Sequence, residues 1–112
     1  MNFLYRAELV RVVDGDTVDL LIDLGFHLST KQRVRLLGID TPELRGGTEE
    51  TKAAGQRARE RVLEVLEGAE ELSVQTEKTG KFGRWLGTIY ADGVNVNELL
   101  VKEGYAQCSP LF

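Results

Sequence analysis

Apolar and polar residues alternate and then cluster over Ala7–Val13, and the run breaks at Asp14-Gly15, a pair suited to a tight turn. Thr17–Ile22 is a second β-rich run, closed by Leu24-Gly25. Gln32–Ile39 is a third, with Val34, Leu36 and Gly38 facing opposite to Arg33, Arg35 and Leu37. Three short strands joined by tight turns predict an antiparallel meander. Asp40-Thr41-Pro42-Glu43 ends it, because proline cannot donate to a ladder and pushes Thr41 out of the helical region. Arg45-Gly46-Gly47 reads as a loop.

From Thr48 the period becomes helical. Glu49 and Glu50 suit a first turn, and Ala54, Ala58, Val62, Val65 and Leu66 fall on one face. The helix starts between Thr48 and Ala54, since Gly55 weakens its first part by ~1 kcal/mol, and Gly68 is its expected stop. Glu71–Thr76 and Trp85–Ala91 read as further strands, joined by the polar stretch Glu77–Gly83. Trp85 is read as a strand-core residue. After the Asp92-Gly93 turn, Asn95 with Glu98 three residues on opens a short helix that Gly104 closes. The order predicts an α+β, mainly β chain forming one domain over residues 1–112. Its form is a five-stranded OB-fold barrel with a helix inserted after strand three and a short C-terminal helix. Pattern alone leaves other small α+β folds open.

Composition narrows the chemistry. A chain of 112 residues with 42% hydrophobic and 29% charged residues is globular and long enough for one core. No apolar run approaches the ~18 residues of a membrane span. The first residues lack a basic stretch followed by an apolar one, so a cytoplasmic location is expected, with secretion open if a leader was removed. Cys108 is alone, which excludes an internal disulfide, and no Cys/His cluster can hold zinc. It is expected to be an inert small apolar residue. His27 is the one histidine and is read as a turn residue. Carboxylates, arginines and a hard metal remain. A net charge of −4 argues against a broad nucleic-acid coat, though not against contact with a few phosphates.

Four segments stand out: Asp14-Gly15-Asp16-Thr17, Arg35, Asp40-Thr41-Pro42-Glu43 and Lys81-Phe82-Gly83-Arg84. Taken singly, each has a plain structural reading as a hairpin turn, a solvated strand residue, a turn start or a charged loop. Together they read differently. Strand two begins at Asp16 and the third run ends at Asp40, so an antiparallel pair brings both carboxylates to one point, where hard oxygen ligands suit Ca²⁺. Glu43 lies three residues further on, near enough to hold a water. Arg35 and Arg84 add two planar forks that match phosphate oxygens.

The runs Val13–Val18, Arg35–Glu43, Lys81–Leu86 and Val96–Val101 together resemble the staphylococcal (micrococcal) nuclease family, in the same order and across nearly the whole chain. The resemblance implies an OB-fold barrel and a Ca²⁺-dependent hydrolase of DNA, RNA or both that leaves 3′-phosphate ends. It assigns Asp16, Asp40 and the Thr41 carbonyl to the metal, Arg35 and Arg84 to the phosphate, and Glu43 to the general base. Lys81 and Phe82 fall at substrate-binding positions, with Phe82 standing where the family often has Tyr. The family's final helix has no counterpart before Phe112. Partial cover of Leu99, Leu100, Val101 and Tyr105 by the tail therefore leaves a monomer or a homodimer as the expected state. The competing class is a catalytically weak OB-fold module that binds nucleic acid or another partner. Retention of Asp16, Arg35, Asp40, Glu43 and Arg84 together argues against it. A third possibility is action on a small nucleotide or one particular partner. With only a few cationic side chains around the site, a log–log salt slope of roughly −2 to −4 is expected on duplex DNA.

Overall fold

Strands β1 (Phe3–Asp14), β2 (Thr17–Gly25) and β3 (Leu28–Leu36) form the expected antiparallel meander, with Val12 opposite Val18 and Val18 opposite Val34. Inward positions follow the period of two: Val18, Leu20 and Ile22 are wholly buried, as are Val34 and Leu36. The computed structural model describes residues 3–44, 47–79 and 85–109.

The two-residue strand β4 (Ile39–Asp40) precedes helix α1 (Glu49–Gly68). Strands β5 (Leu72–Thr79) and β6 (Trp85–Ala91) follow, then β7 (Val94–Asn95), helix α2 (Val96–Lys102) and β8 (Gln107–Cys108). β5 pairs antiparallel with β1 and with β6. β6 then runs parallel to β3, with Val34, Arg35 and Leu36 opposite Trp85, Leu86 and Gly87. That pairing closes β1, β2, β3, β5 and β6 into a five-stranded barrel, an OB-fold. The core is aliphatic: Leu20, Ile22, Leu36, Val74 and Ile89 fill the barrel, while Val62 and Leu66 of α1 and Val96 and Leu100 of α2 join the same cluster. Trp85 is half-buried against it.

Thr48 caps α1, its hydroxyl accepting the Thr51 N–H at 3.1 Å, which settles the start at the earlier of the two expected positions. The buried face is Gly55, Ala58, Val62 and Leu66, with Ala54 and Val65 half-buried at its edges. Gly68 is the last helical residue, not the stop beyond it. The chain leaves through extended Ala69, and the Asp92 carboxylate accepts the N–H groups of Glu70 and Glu71.

Three further expectations change. The second and third strands are longer than their apolar runs, because residues 23–29 form an exposed hairpin end turning at Phe26-His27, both at positive φ. The third run stops at Leu36 instead of continuing to Ile39: Gly38 at φ 82° turns the chain, so Asp40 lies on the separate strand β4. Cys108 is exposed, and its segment β8 pairs with β4 (Ile39 opposite Cys108, Asp40 opposite Gln107) instead of covering α2. The Ser109 N–H extends this pairing by donating to the Gly38 carbonyl at 2.8 Å. Among the described residues, no helix is long and apolar enough to cross a membrane.

Candidate active site

A cleft of about 820 Å³ opens at one end of the barrel, where the β1–β2 turn, β3, the segment after β4 and one edge of α1 meet. Asp16 is placed by the Asp14–Thr17 turn, whose Gly15 has no room for a side chain: a Cβ would stand 2.8 Å from Cβ of Ala58 and 3.0 Å from Cγ2 of Thr41. This close approach lets turn, helix and the Thr41 segment converge. The Asp16 carboxylate is buried and accepts the Thr41 N–H at 3.1 Å and the Thr17 hydroxyl at 3.0 Å.

Arg35 is almost fully buried, an unusual place for a guanidinium without partners around it. Its Nη1 donates to the carbonyls of Leu36 at 3.1 Å and Asp16 at 3.4 Å. Its Nη2 faces both carboxylates, 3.2 Å from Oδ1 of Asp40 and 3.5 Å from Oδ2 of Asp16. One nitrogen within reach of two carboxylates shows that Asp16 and Asp40 converge, as the sequence reading required. The route differs, since Asp40 arrives through the Gly38 turn and the β4–β8 pairing and not as the end of β3. Glu43 is exposed and lines the same cleft. Its backbone is held against α1 at Gly55, where a Cβ would lie 2.9 Å from the Glu43 carbonyl oxygen.

Asp16, Arg35, Asp40, Thr41 and Glu43 thus share one cleft. Arg84, Lys81 and Phe82, the other three expected site residues, lie outside the described residues, as does Arg45. Arg11, Arg33, Gln56 and Arg59 also line the cleft, and the sequence reading passed over them. Arg59 carried one faint signal, its place next to Ala58 on the apolar face of α1. Arg33 holds Asp19 through a fork of 2.9 and 3.2 Å. That hydrogen bond, with the charges of Arg33, Lys31 and Arg11, lowers the Asp19 carboxyl below its ordinary range against the opposing effect of burial.

The donor chemistry fits a hard divalent cation. Among the described residues no three His, Cys, Asp or Glu side chains cluster to hold a metal. The set is two carboxylates, backbone oxygen at Thr41 and open solvent, which a flexible oxygen-ligated ion accepts. Among the described residues, Arg35 is the cation at salt-bridge distance from both carboxylates. The hydroxyl of Thr41, the residue whose N–H the Asp16 carboxylate accepts, is buried without a hydrogen-bond partner among the described residues.

The class the structure defines is an OB-fold barrel with two convergent carboxylates and a buried arginine at one end. Residues 33–110 match the family profile of staphylococcal nuclease homologues. The chain is 35% identical over 111 residues to a protein of Shigella flexneri named micrococcal nuclease, covering 91% of this chain and 57% of that one. It is 31% identical over 112 residues to the Bacillus subtilis endonuclease YncB, covering 97% and 50%. A rice protein named probable staphylococcal-like nuclease is 38% identical over 79 residues, covering 70% and 22%. The chain belongs to the staphylococcal nuclease family. It spans about half the length of the first two of these relatives.

Proposed function

We propose that the chain is a nuclease, a metal-dependent phosphodiesterase acting on DNA, RNA or both, with Ca²⁺ as its ion and 3′-phosphate ends as its products. The observation that carries this reading is the convergence of Asp16 and Asp40 on Arg35 in the cleft that Glu43 also lines. Membership of a family whose curated relatives are named nucleases supports it.

Asp16, Asp40 and the Thr41 carbonyl would hold the ion, which when bound supplies Lewis-acid polarisation of the phosphate and a more acidic water. Glu43 accepts the proton of the attacking water as the new P–O bond forms. Arg35, preorganised by its carbonyl and carboxylate partners, neutralises charge growing on the non-bridging oxygens. The P–O5′ bond breaks, the leaving 5′-oxygen takes a proton, and the phosphate stays on the 3′ side. Arg84 shares the charge neutralisation and assists the leaving oxygen, a role resting on its motif Lys81-Phe82-Gly83-Arg84.

Digestion of plasmid DNA and of RNA in CaCl₂ against EGTA tests the reading. Cleavage is expected in CaCl₂, slower cleavage in Mg²⁺ and none in EGTA, with product ends that a 3′-phosphatase modifies. Glu43→Gln and Arg84→Ala each lower kcat by ~10²-fold or more. Near-wild-type rates in both variants would remove the mechanism.

A further inference from the structure

Arg59 sits on α1 at the edge of the face that buries Ala58 and Val62, and it is half-buried. Its Nε donates to the Val12 carbonyl at 3.1 Å, across 47 residues of sequence. Strand β1 carries an irregularity there, since the β1–β2 register shifts between Val12 and Asp14, and such a bulge disrupts the local ladder. Bonding that carbonyl uses one nitrogen of the guanidinium. Nη1 and Nη2 meet no acceptor among the described residues, and the side chain lines the cleft that holds Asp16, Arg35 and Glu43.

Arg11 lies beside Val12 on β1, exposed, and lines the same cleft. Its cross-strand neighbour Asp19 is held through both carboxylate oxygens by Arg33 from the other side. Four arginines and four carboxylates line the cleft; Arg35 faces Asp16 and Asp40 and Arg33 is taken up by Asp19, so Arg11 and Arg59 are the two lining arginines with no carboxylate at salt-bridge distance among the described residues.

We propose that Arg59, with Arg11, forms a second phosphate subsite beside the cleavage position, so that the chain grips a polynucleotide by a phosphate additional to the one it hydrolyses. The inference rests on the nuclease reading and deepens it: the preferred substrate is a strand, not a single phosphodiester. The planar fork of Arg59, anchored at Nε with two donors left, matches the oxygens of a phosphodiester.

The test compares the full chain with Arg59→Gln on two substrates, a single strand of about 12 nucleotides, within the span one OB-fold covers, and a dinucleotide with one phosphodiester. The expected result is a rise of about tenfold in the ratio of KM on the strand to KM on the dinucleotide, the loss of one charge-assisted contact. A merely structural role would move both values together, so a ratio unchanged from wild type overturns the subsite. Equilibrium binding of the same strand in EGTA over a salt series reads the contact without catalysis. There the variant's log–log slope becomes shallower by about 0.7, one phosphate on a single strand, and an equal slope overturns the proposal. Should Arg59→Gln unfold for want of its bond to Val12, Arg11→Gln, whose exposed side chain takes no part in that bond, takes its place with the same two criteria. Failure of the wild type to cleave either substrate would sink the nuclease reading, while the binding arm still decides the subsite.

Discussion

Gly55 of α1 lies so close to Pro42 that a Cβ on it would stand 2.7 Å from the Pro42 carbonyl oxygen. The helix rests there on the backbone that carries Glu43, and backbone cannot yield as a side-chain tip does. Gly55→Ala should gain up to ~1 kcal/mol of helix propensity and lose more to overpacking, about 1–3 kcal/mol. A lower melting temperature is expected, with kcat reduced by ~10-fold or more well below the melt as Glu43 shifts. A variant melting above wild type with full activity would show that the contact relaxes freely.

Arg35 faces Asp16 and Asp40 with one nitrogen and two backbone carbonyls with the other. Lysine has the charge without the fork. Arg35→Lys should lower kcat by ~10²-fold and weaken the fold, because buried carbonyl and carboxylate oxygens lose donors. Steady-state kinetics and a thermal melt read both effects, and a loss of activity below about threefold would contradict the arrangement.

Asn97 of α2 ties three elements together while almost fully buried. Its Oδ1 accepts the Ile89 N–H at 3.2 Å, and its Nδ2 donates to the carbonyls of Leu37 at 2.9 Å and Gly87 at 3.1 Å. Asn97→Ala removes this partner from the Ile89 N–H and the Leu37 carbonyl, while the Gly87 carbonyl keeps the Leu37 N–H at 2.8 Å, and should cost about 2 kcal/mol or more. Denaturant midpoints at constant m would measure it, and a loss under about 1 kcal/mol would show that water replaces the amide.

Phe26 and His27 both adopt left-handed backbone conformations at the hairpin tip, and Phe26 is 94% exposed. Neither residue suits that conformation, and nothing is buried in return. Replacing the pair by Asn-Gly should stabilise the chain by about 1–2 kcal/mol, seen as a higher melting temperature. A decrease would mean that the exposed ring contributes to the fold.

Arg61 of α1 grips Glu103, just beyond α2, through a fork of 2.7 and 3.0 Å. That bond, with the Arg61 charge, holds the Glu103 carboxyl below its usual 4.5 against a smaller opposing effect of desolvation. Because the folded value is the lower one, the pair's contribution is complete above pH 4.5 and is lost as pH falls through the folded value. Glu103→Gln should therefore melt lower than wild type at pH 7, with the difference narrowing as pH falls below 4.5. A difference that stays constant as pH falls from 7 through the acid range would assign the effect to packing.

Periodicity and turn chemistry made the meander, the Thr48-capped helix and the Asn95-capped helix legible along the chain, because each depends on residues within a few positions of one another. The residues of the candidate site were legible as candidates for a similar reason: Asp16, Arg35, Asp40, Thr41 and Glu43 stand in short motifs, and one cleft is lined by all five. What only the tertiary structure decided are meetings between distant segments. The parallel pairing of β3 with β6 closes the barrel, and β8 pairs with β4 to hold the backbone of Asp40. Gly55, which reads in the sequence as a weak point of the helix, is the place where helix and Glu43 backbone touch. Arg59 reads as one more exposed charge on α1 until the bulge at Val12 draws its Nε and turns the side chain into the cleft wall. Local pattern records which face of an element is buried. It carries no record of which distant residue lies opposite, since that follows from the closure of the barrel as a whole.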